Sequence, residues 1–304
     1  MQRRQFLRAA ALAPVLGGVP PAALAGGERL PFIDSIGLGL FTLRQQLRED
    51  LPGTLRAVAE MGYKQVETFA FPDQLPMVKV ARECGLEVHS AHFTWNSVFH
   101  PGEKGSGDKP AAPFEKVLEA AQAGGLSHLV VATIEPRDRT NLDGYRWAAE
   151  KCNRAAEQAK AAGIRLSYHN HSFEFDPQEG GKAGYDVLVE ECSPDVHFEV
   201  DVFWVAVGKR DPEKLIRSLA GRVSQIHVKD LRGGVAIPDK KIDGYWDLPP
   251  EAFADLGQGV LSVSKILAAA AESGAVACHV EQDVSPDPLG SCRTGLAYLR
   301  GLQG

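Results

Sequence analysis

The residues with the most chemistry to offer lie in Tyr168-His169-Asn170-His171-Ser172-Phe173-Glu174-Phe175, just after a helix-like run and the turn at Gly163. Imidazoles and carboxylates bind divalent cations and move protons, and here two of one and one of the other stand within six residues. In an extended strand Ser167, His169 and His171 share one face and Leu166, Tyr168 and Asn170 the other, because side chains alternate with period two. Both imidazoles therefore point the same way. A pair of hydrogen-bonded core histidines is the plain alternative. Against it stand three later apolar runs that end in the same residue types: Phe198-Glu199-Val200-Asp201-Val202-Phe203-Trp204, Ile226-His227-Val228-Lys229-Asp230 and His279-Val280-Glu281-Gln282-Asp283. Four such runs in succession point to one site.

Asp201, His227 and Glu281 make a mixed oxygen and nitrogen set that suits Mn²⁺, Co²⁺ or Zn²⁺, with a fourth ligand due from the strand that carries His169. Structural ion pairs among the same residues are the competing reading. One divalent metal held there would polarise a substrate carbonyl and stabilise negative charge left when a proton departs the adjacent carbon. Such chemistry needs a base and an acid. Glu281, with His169 or Glu174, is placed to flank the carbon, and Lys229 to stabilise developing negative charge. Trp204 and Phe41 are candidates for stacking on a sugar, or else for packing at the rim. Glu67, His92 and His171 are candidates for binding substrate.

The elements that must position these groups alternate regularly. Strands are expected at Ile36–Phe41, Lys64–Phe69, Leu86–His92, Leu129–Thr133, Arg165–His171, Val196–Asp201, Val223–Lys229 and Val276–Gln282. Amphipathic runs follow them, among them 51–61, 73–84, 114–123, 143–162 and 262–273, with apolar positions such as Leu55, Val58 and Ala59 at helical spacing. Eight such units, with no glycine-rich dinucleotide turn after the first strand, predict a single closed (β/α)₈ barrel rather than a doubly wound sheet. Chemistry in that architecture sits at the carboxyl ends of the strands, where Glu67, His89, His92, His169, His171, Asp201, His227, Lys229, Glu281 and Asp283 cluster. The polar connection 94–113 and the Gly- and Pro-rich excursion 231–259 are long enough to serve as binding loops, a lid or a dimer contact.

A chain of 304 residues, 44% hydrophobic, buries a sizeable core. Its net charge of −6 and lack of a basic tract give no electrostatic footprint for a nucleic-acid partner, and none is expected. Five widely spaced cysteines without a CxxC predict packing residues rather than a disulfide framework. At the start, Arg3-Arg4-Gln5-Phe6-Leu7 precedes the apolar run Ala9–Leu16, and Ala23-Leu24-Ala25 supplies small residues for cleavage. This predicts a twin-arginine-type signal over 1–25, export to the periplasm and a barrel over 28–304, with no stable membrane insertion once the signal is gone. Export, and the lack of an Arg/Lys phosphate cradle, favour a non-phosphorylated sugar or keto-sugar as the small-molecule partner.

From about residue 33 the chain resembles the sugar phosphate isomerase/epimerase superfamily with the xylose-isomerase-like barrel, in the branch carrying a Tyr-His-Asn-His-x-x-Glu-Phe segment. The resemblance rests on that segment, on Gly39-Leu40-Phe41-Thr42-Leu43-Arg44, and on the runs at Glu199–Trp204, His227–Asp230, Leu256-Gly257-Gln258-Gly259 and Val280–Asp283. It implies a metal-dependent isomerase or epimerase. A keto-glycoside lyase or dehydratase, an apurinic-endonuclease-like phosphodiesterase and a non-catalytic sugar-binding barrel are the alternatives, and a homodimer is possible. It also implies a Glu, Asp, His, Glu ligand set, the last three carried by Asp201, His227 and Glu281. Where many relatives have Glu-Asn-His this chain has His169-Asn170-His171, so the first ligand is either His169 or Glu174. Glu174 is the preferred expectation, since a carboxylate keeps the charge balance.

Overall fold

A computed structural model of the chain describes residues 32–104 and 110–302; the expected signal lies outside the described residues. Eight parallel strands run β1 Gly37–Gly39, β2 Gln65–Phe71, β3 Ser90–Phe93, β4 His128–Val131, β5 Arg165–His169, β6 Val196–Asp201, β7 Val223–Val228 and β8 Ala277–Val280. Each bonds to the next and β8 bonds to β1, closing the expected (β/α)₈ barrel.

Local sequence explains where the outer helices begin and end. Helix Leu51–Met61 starts where the Asp50 carboxylate accepts the Gly53 N–H at 2.9 Å. It stops at Gly62, whose φ of 102° suits a residue without a Cβ. Asn141 caps Leu142–Ala161 in the same way, accepting from Gly144 N–H. The apolar stripe of each helix, such as Leu55 and Val58, meets outward strand residues such as Val66, Leu166, Val200 and Ile226 in one continuous core. Burying a side chain like Leu55 contributes roughly 2 kcal/mol.

The inner face of the barrel is polar instead, carrying Glu67, Ser90, His92, Ser167, Glu199 and Gln225, all but His92 fully buried. Two glycines make room for it. A Cβ on Gly37 would stand 2.3 Å from the His279 ring, and one on Gly39 would stand 2.5 Å from Glu281 Oε1. The Gly-Leu-Gly spacing of β1 thus yields its inward volume to two functional side chains.

The boundaries differ from expectation where side chains capture backbone groups. Leu40–Leu43 is a 3₁₀ turn rather than the end of β1. The chain after β6 turns at once into helix Val202–Val207, because Asp201 Oδ1 accepts the N–H groups of Phe203 and Trp204 at 3.0 and 3.2 Å. The excursion after β7 forms a two-stranded antiparallel ladder, Asp230–Leu231 with Phe253–Ala254, and short 3₁₀ turns. All five cysteines are free. No helix among the described residues is long and apolar enough to cross a membrane.

Candidate active site

Barrel register brings the polar strand ends together. His169 lies opposite Glu199, Asp201 opposite His227, and His227 opposite His279. Glu67, His92, His169, Asp201, His227, Lys229 and Glu281, named above from sequence, all converge at the carboxyl end of the barrel through the contacts that follow.

Donor atoms of Asp201, His227 and Glu281 lie within 4.8 Å of one another at its centre, with His169 beside them. His169 donates Nδ1–H to Glu199 Oε2 at 2.8 Å, which leaves the Nε2 lone pair 3.7 Å from Asp201 Oδ2. His227 turns Nε2 to Glu67 Oε2 at 2.6 Å and Nδ1 to Glu281 Oε2 at 3.1 Å. Asp201 Oδ2 is buried without an aligned hydrogen bond, whereas its Oδ1 is taken by the helix cap. Burial pushes the His169 pKa down, only partly offset by Glu199, so the ring is neutral with a free lone pair. For His227 burial acts downward too, but Glu199 and Glu281 outweigh it and raise the pKa well above the usual value. A metal ion at Nδ1 would take the place of that proton.

Asp201, His227 and Glu281 form a buried group that could hold a divalent transition metal, with His169 Nε2 next to Asp201 Oδ2. Behind each imidazole stands a carboxylate that fixes its tautomer, Glu199 for His169 and Glu67 for His227.

Beneath this set lies a closed polar floor. Gln225 Nε2 donates to Glu67 Oε1 at 2.8 Å and Glu199 Oε1 at 2.5 Å. Ser90 bonds Glu67 as well. His92 Nε2 stands 2.6 Å from Glu199 and 3.2 Å from Glu67. Burial disfavours its charge, but the two carboxylates prevail and raise its pKa to about 10. Burial and Glu199 push Glu67 up, yet His92, His279 and the His227 bond bring it down to about 2. The floor is a buried ion cluster that holds both clamping carboxylates ionised.

Above the floor, Lys229 Nζ lies 2.8 Å from Asp201 Oδ2 and 2.7 Å from Glu281 Oε2, and 3.0 and 2.9 Å from the two oxygens of Asp283. Burial lowers the Lys229 pKa, but the three carboxylates raise it well above the ordinary range. Burial raises that of Glu281, and Lys229 and His227 bring it well below the carboxylate range.

The other residues named from the sequence have different surroundings. Glu174 is fully buried, but its Oε1 accepts from Tyr168 Oη at 2.7 Å and its Oε2 from His171 N–H at 2.9 Å. Tyr168 belongs to the core between sheet and helices, so both Glu174 oxygens are used on that side. His89 points outward to the exposed Glu87 at 2.7 Å. Trp204 is 2% exposed and packs with Phe203 and Phe253, so it has no free face for a sugar. Its cluster anchors Ile242 and Leu248 of the excursion, which Arg139 also holds through Asp243 at 2.6 Å. The excursion is thus packed onto the barrel end.

His171 stays at the rim, its ring centroid 5.3 Å from that of His169 and stacked on Phe173, with Nδ1 unpartnered. Phe41 lies across the mouth, covered on one face by the Arg44 guanidinium at 4.2 Å. Sequence reasoning gave no role to Glu199, Gln225 or His279. Each stands two residues before a named ligand, and period two marks the next inward position in the barrel.

Comparison with known proteins agrees with this architecture. A sugar phosphate isomerase/epimerase from Parabacteroides distasonis is 22% identical, with a TM-score of 0.67 over 87% of this chain and 97% of that one. The IolI protein with a bound zinc atom is 12% identical, with a TM-score of 0.62 over 88% and 97%. The probable 3-DHS dehydratase AsbF from Bacillus anthracis is 12% identical, with a TM-score of 0.61 over 88% and 98%. No curated protein matches the chain. The family model for the xylose isomerase-like TIM barrel matches residues 55–302, and the chain belongs to that family.

Proposed function

We propose that the protein is a divalent-metal-dependent isomerase or epimerase that removes a proton next to the carbonyl of a non-phosphorylated sugar or keto-sugar. The observation that carries this reading is the buried group of Asp201, His227 and Glu281, with His169 Nε2 3.7 Å from Asp201 Oδ2 and each imidazole backed by a carboxylate. A metal bound there supplies a Lewis acid for the carbonyl and hydroxyl oxygens of the substrate. The similar isomerase/epimerase and the similar zinc-containing barrel support the same reading.

The residues of this chain then divide the work. Glu281, held ionised by Lys229 and His227, accepts the proton from the carbon beside the carbonyl. The Lys229 ammonium, steadied by Asp283, donates a hydrogen bond to the oxygen on which negative charge grows. Glu67 and Glu199 keep the imidazoles oriented while charge moves. His171 and Phe41, at the two sides of the mouth, hold the sugar.

Elemental analysis should find about one divalent transition metal per chain, and incubation with keto-sugars in D₂O should place deuterium on the carbon next to the carbonyl. Protein that takes up no Mn²⁺, Co²⁺ or Zn²⁺ under any condition would remove the enzyme reading. Exchange accompanied by loss of a substituent from the neighbouring carbon would make the protein a lyase or dehydratase, as the similar AsbF suggests. Export belongs to the same proposal. Replacing Arg3 and Arg4 with Lys is expected to leave the precursor in the cytoplasm, and unchanged processing on a fractionation blot would reject the twin-arginine route.

A further inference from the structure

We infer that Lys229 is an exchangeable counter-ion for the metal: its ammonium neutralises Asp201 and Glu281 when no metal is bound and retreats to Asp283 when one arrives. The inference rests on the metal reading above and adds a competition between two cations for one pair of carboxylates.

Three observations support it. First, Lys229 Nζ lies 2.8 Å from Asp201 Oδ2 and 2.7 Å from Glu281 Oε2, the two oxygens of the donor set. A transition metal would stand about 2.0–2.2 Å from the same two oxygens, so the two cations repel each other and compete for them. Second, Lys229 Nζ also bonds both oxygens of Asp283, at 3.0 and 2.9 Å, a carboxylate outside the metal group. The second seat is already built, and the flexible four-carbon stem reaches it with a small rotation. Third, Lys229 is shared by three carboxylates, Asp201, Glu281 and Asp283, so one lysine serves more negative groups than it can neutralise. The Lys229 side chain is 1% exposed, so it has no other route to relief in water.

Such a device keeps two ligands apart and oriented before metal arrives, so the barrel folds without it. It also weakens metal binding by the cost of moving the ammonium.

Calorimetric metal binding, with Zn²⁺ or Co²⁺ as probe, tests the competition. Lys229→Met is expected to bind metal roughly 10-fold or more tightly than the wild type, while its metal-free form melts lower. A lysine that served only as structural support would lower both. Asp283→Asn, which removes the second seat, is expected to weaken metal binding roughly 10-fold, and to have little further effect in the Lys229→Met background. A general loss of negative charge would instead weaken binding equally in both backgrounds. If Lys229→Met does not fold, an unchanged affinity in Asp283→Asn alone overturns the inference. A Lys229→Met protein that binds metal no more tightly than the wild type overturns it as well. Failure of the wild type to bind any metal rejects the underlying metal reading instead, and the two failures are therefore distinct.

Discussion

His169→Ala is expected to lose its metal while Glu174→Gln keeps it. His169 is the only strand-five side chain that brings a free lone pair to the Asp201 and His227 group, with Nδ1 held by Glu199 at 2.8 Å. Removing a group that merely supports a ligand typically costs 10–100-fold in metal affinity, so loss of the ligand should cost more than about 100-fold. Glu174 has both oxygens engaged by Tyr168 and the His171 N–H, and glutamine can keep one acceptor and turn a donor to the tyrosine oxygen. Metal content of Glu174→Gln should stay within about twofold of the wild type.

Glu174 nonetheless has a signature of its own. Burial raises its pKa from 4.5 to about 7, against the opposing Tyr168 bond. The folded state therefore holds this proton more tightly than the unfolded one. Its contribution is most favourable below about pH 4.5, declines as pH rises, and is fully lost above about pH 7. Since a pKa shift of one is worth 1.36 kcal/mol, the pH-dependent part is on the order of 3 kcal/mol. Glu174→Gln removes that dependence. Its melting temperature relative to wild type should rise between pH 5 and about pH 8. If instead Glu174→Gln strips the metal and His169→Ala retains it, the ligand assignment made from the donor geometry is wrong.

The largest loss of stability is expected from Asp230→Ala. This buried carboxylate follows Lys229 directly and accepts four backbone N–H groups: Leu231 and Leu261 on Oδ1, at 3.0 and 3.1 Å, and Gly257 and Gly259 on Oδ2, at 3.0 and 2.9 Å. Bonds to a charged acceptor contribute about 1.5–3 kcal/mol each, though water can replace some of them at the barrel end. A net loss of about 4 kcal/mol follows, or roughly 10 °C in melting temperature for a domain of this size. Asp230→Asn should fall between, because its amide NH₂ meets donors rather than acceptors. Melting of Asp230→Ala within about 2 °C of wild type would reject the clamp. The geometry also accounts for the glycines of the Leu-Gly-Gln-Gly run. Gly257 has φ +89°, and a Cβ on Gly259 would lie 2.1 Å from Asp230 Oδ1.

The primary sequence determined the barrel and most of the residues at its mouth. Strand and helix periods are local, so each apolar run with its capping residue and terminal glycine could be recognised without knowing its neighbours. The placement of Asp201, His227 and Glu281 at strand ends was equally local, since alternation alone decides which side of a strand a side chain occupies. Distances across the barrel are not local. That Glu199 stands behind His169, or that Gln225 joins Glu67 to Glu199, depends on the register between strands and on glycines in β1 that leave space on the opposite wall. The choice between His169 and Glu174 was likewise undecidable from composition, because a charge argument favours the carboxylate wherever it lies. Only the tertiary structure shows that Tyr168 and a backbone N–H draw Glu174 to the helix side of the sheet, while the carboxylate that balances the site reaches it from the neighbouring strand.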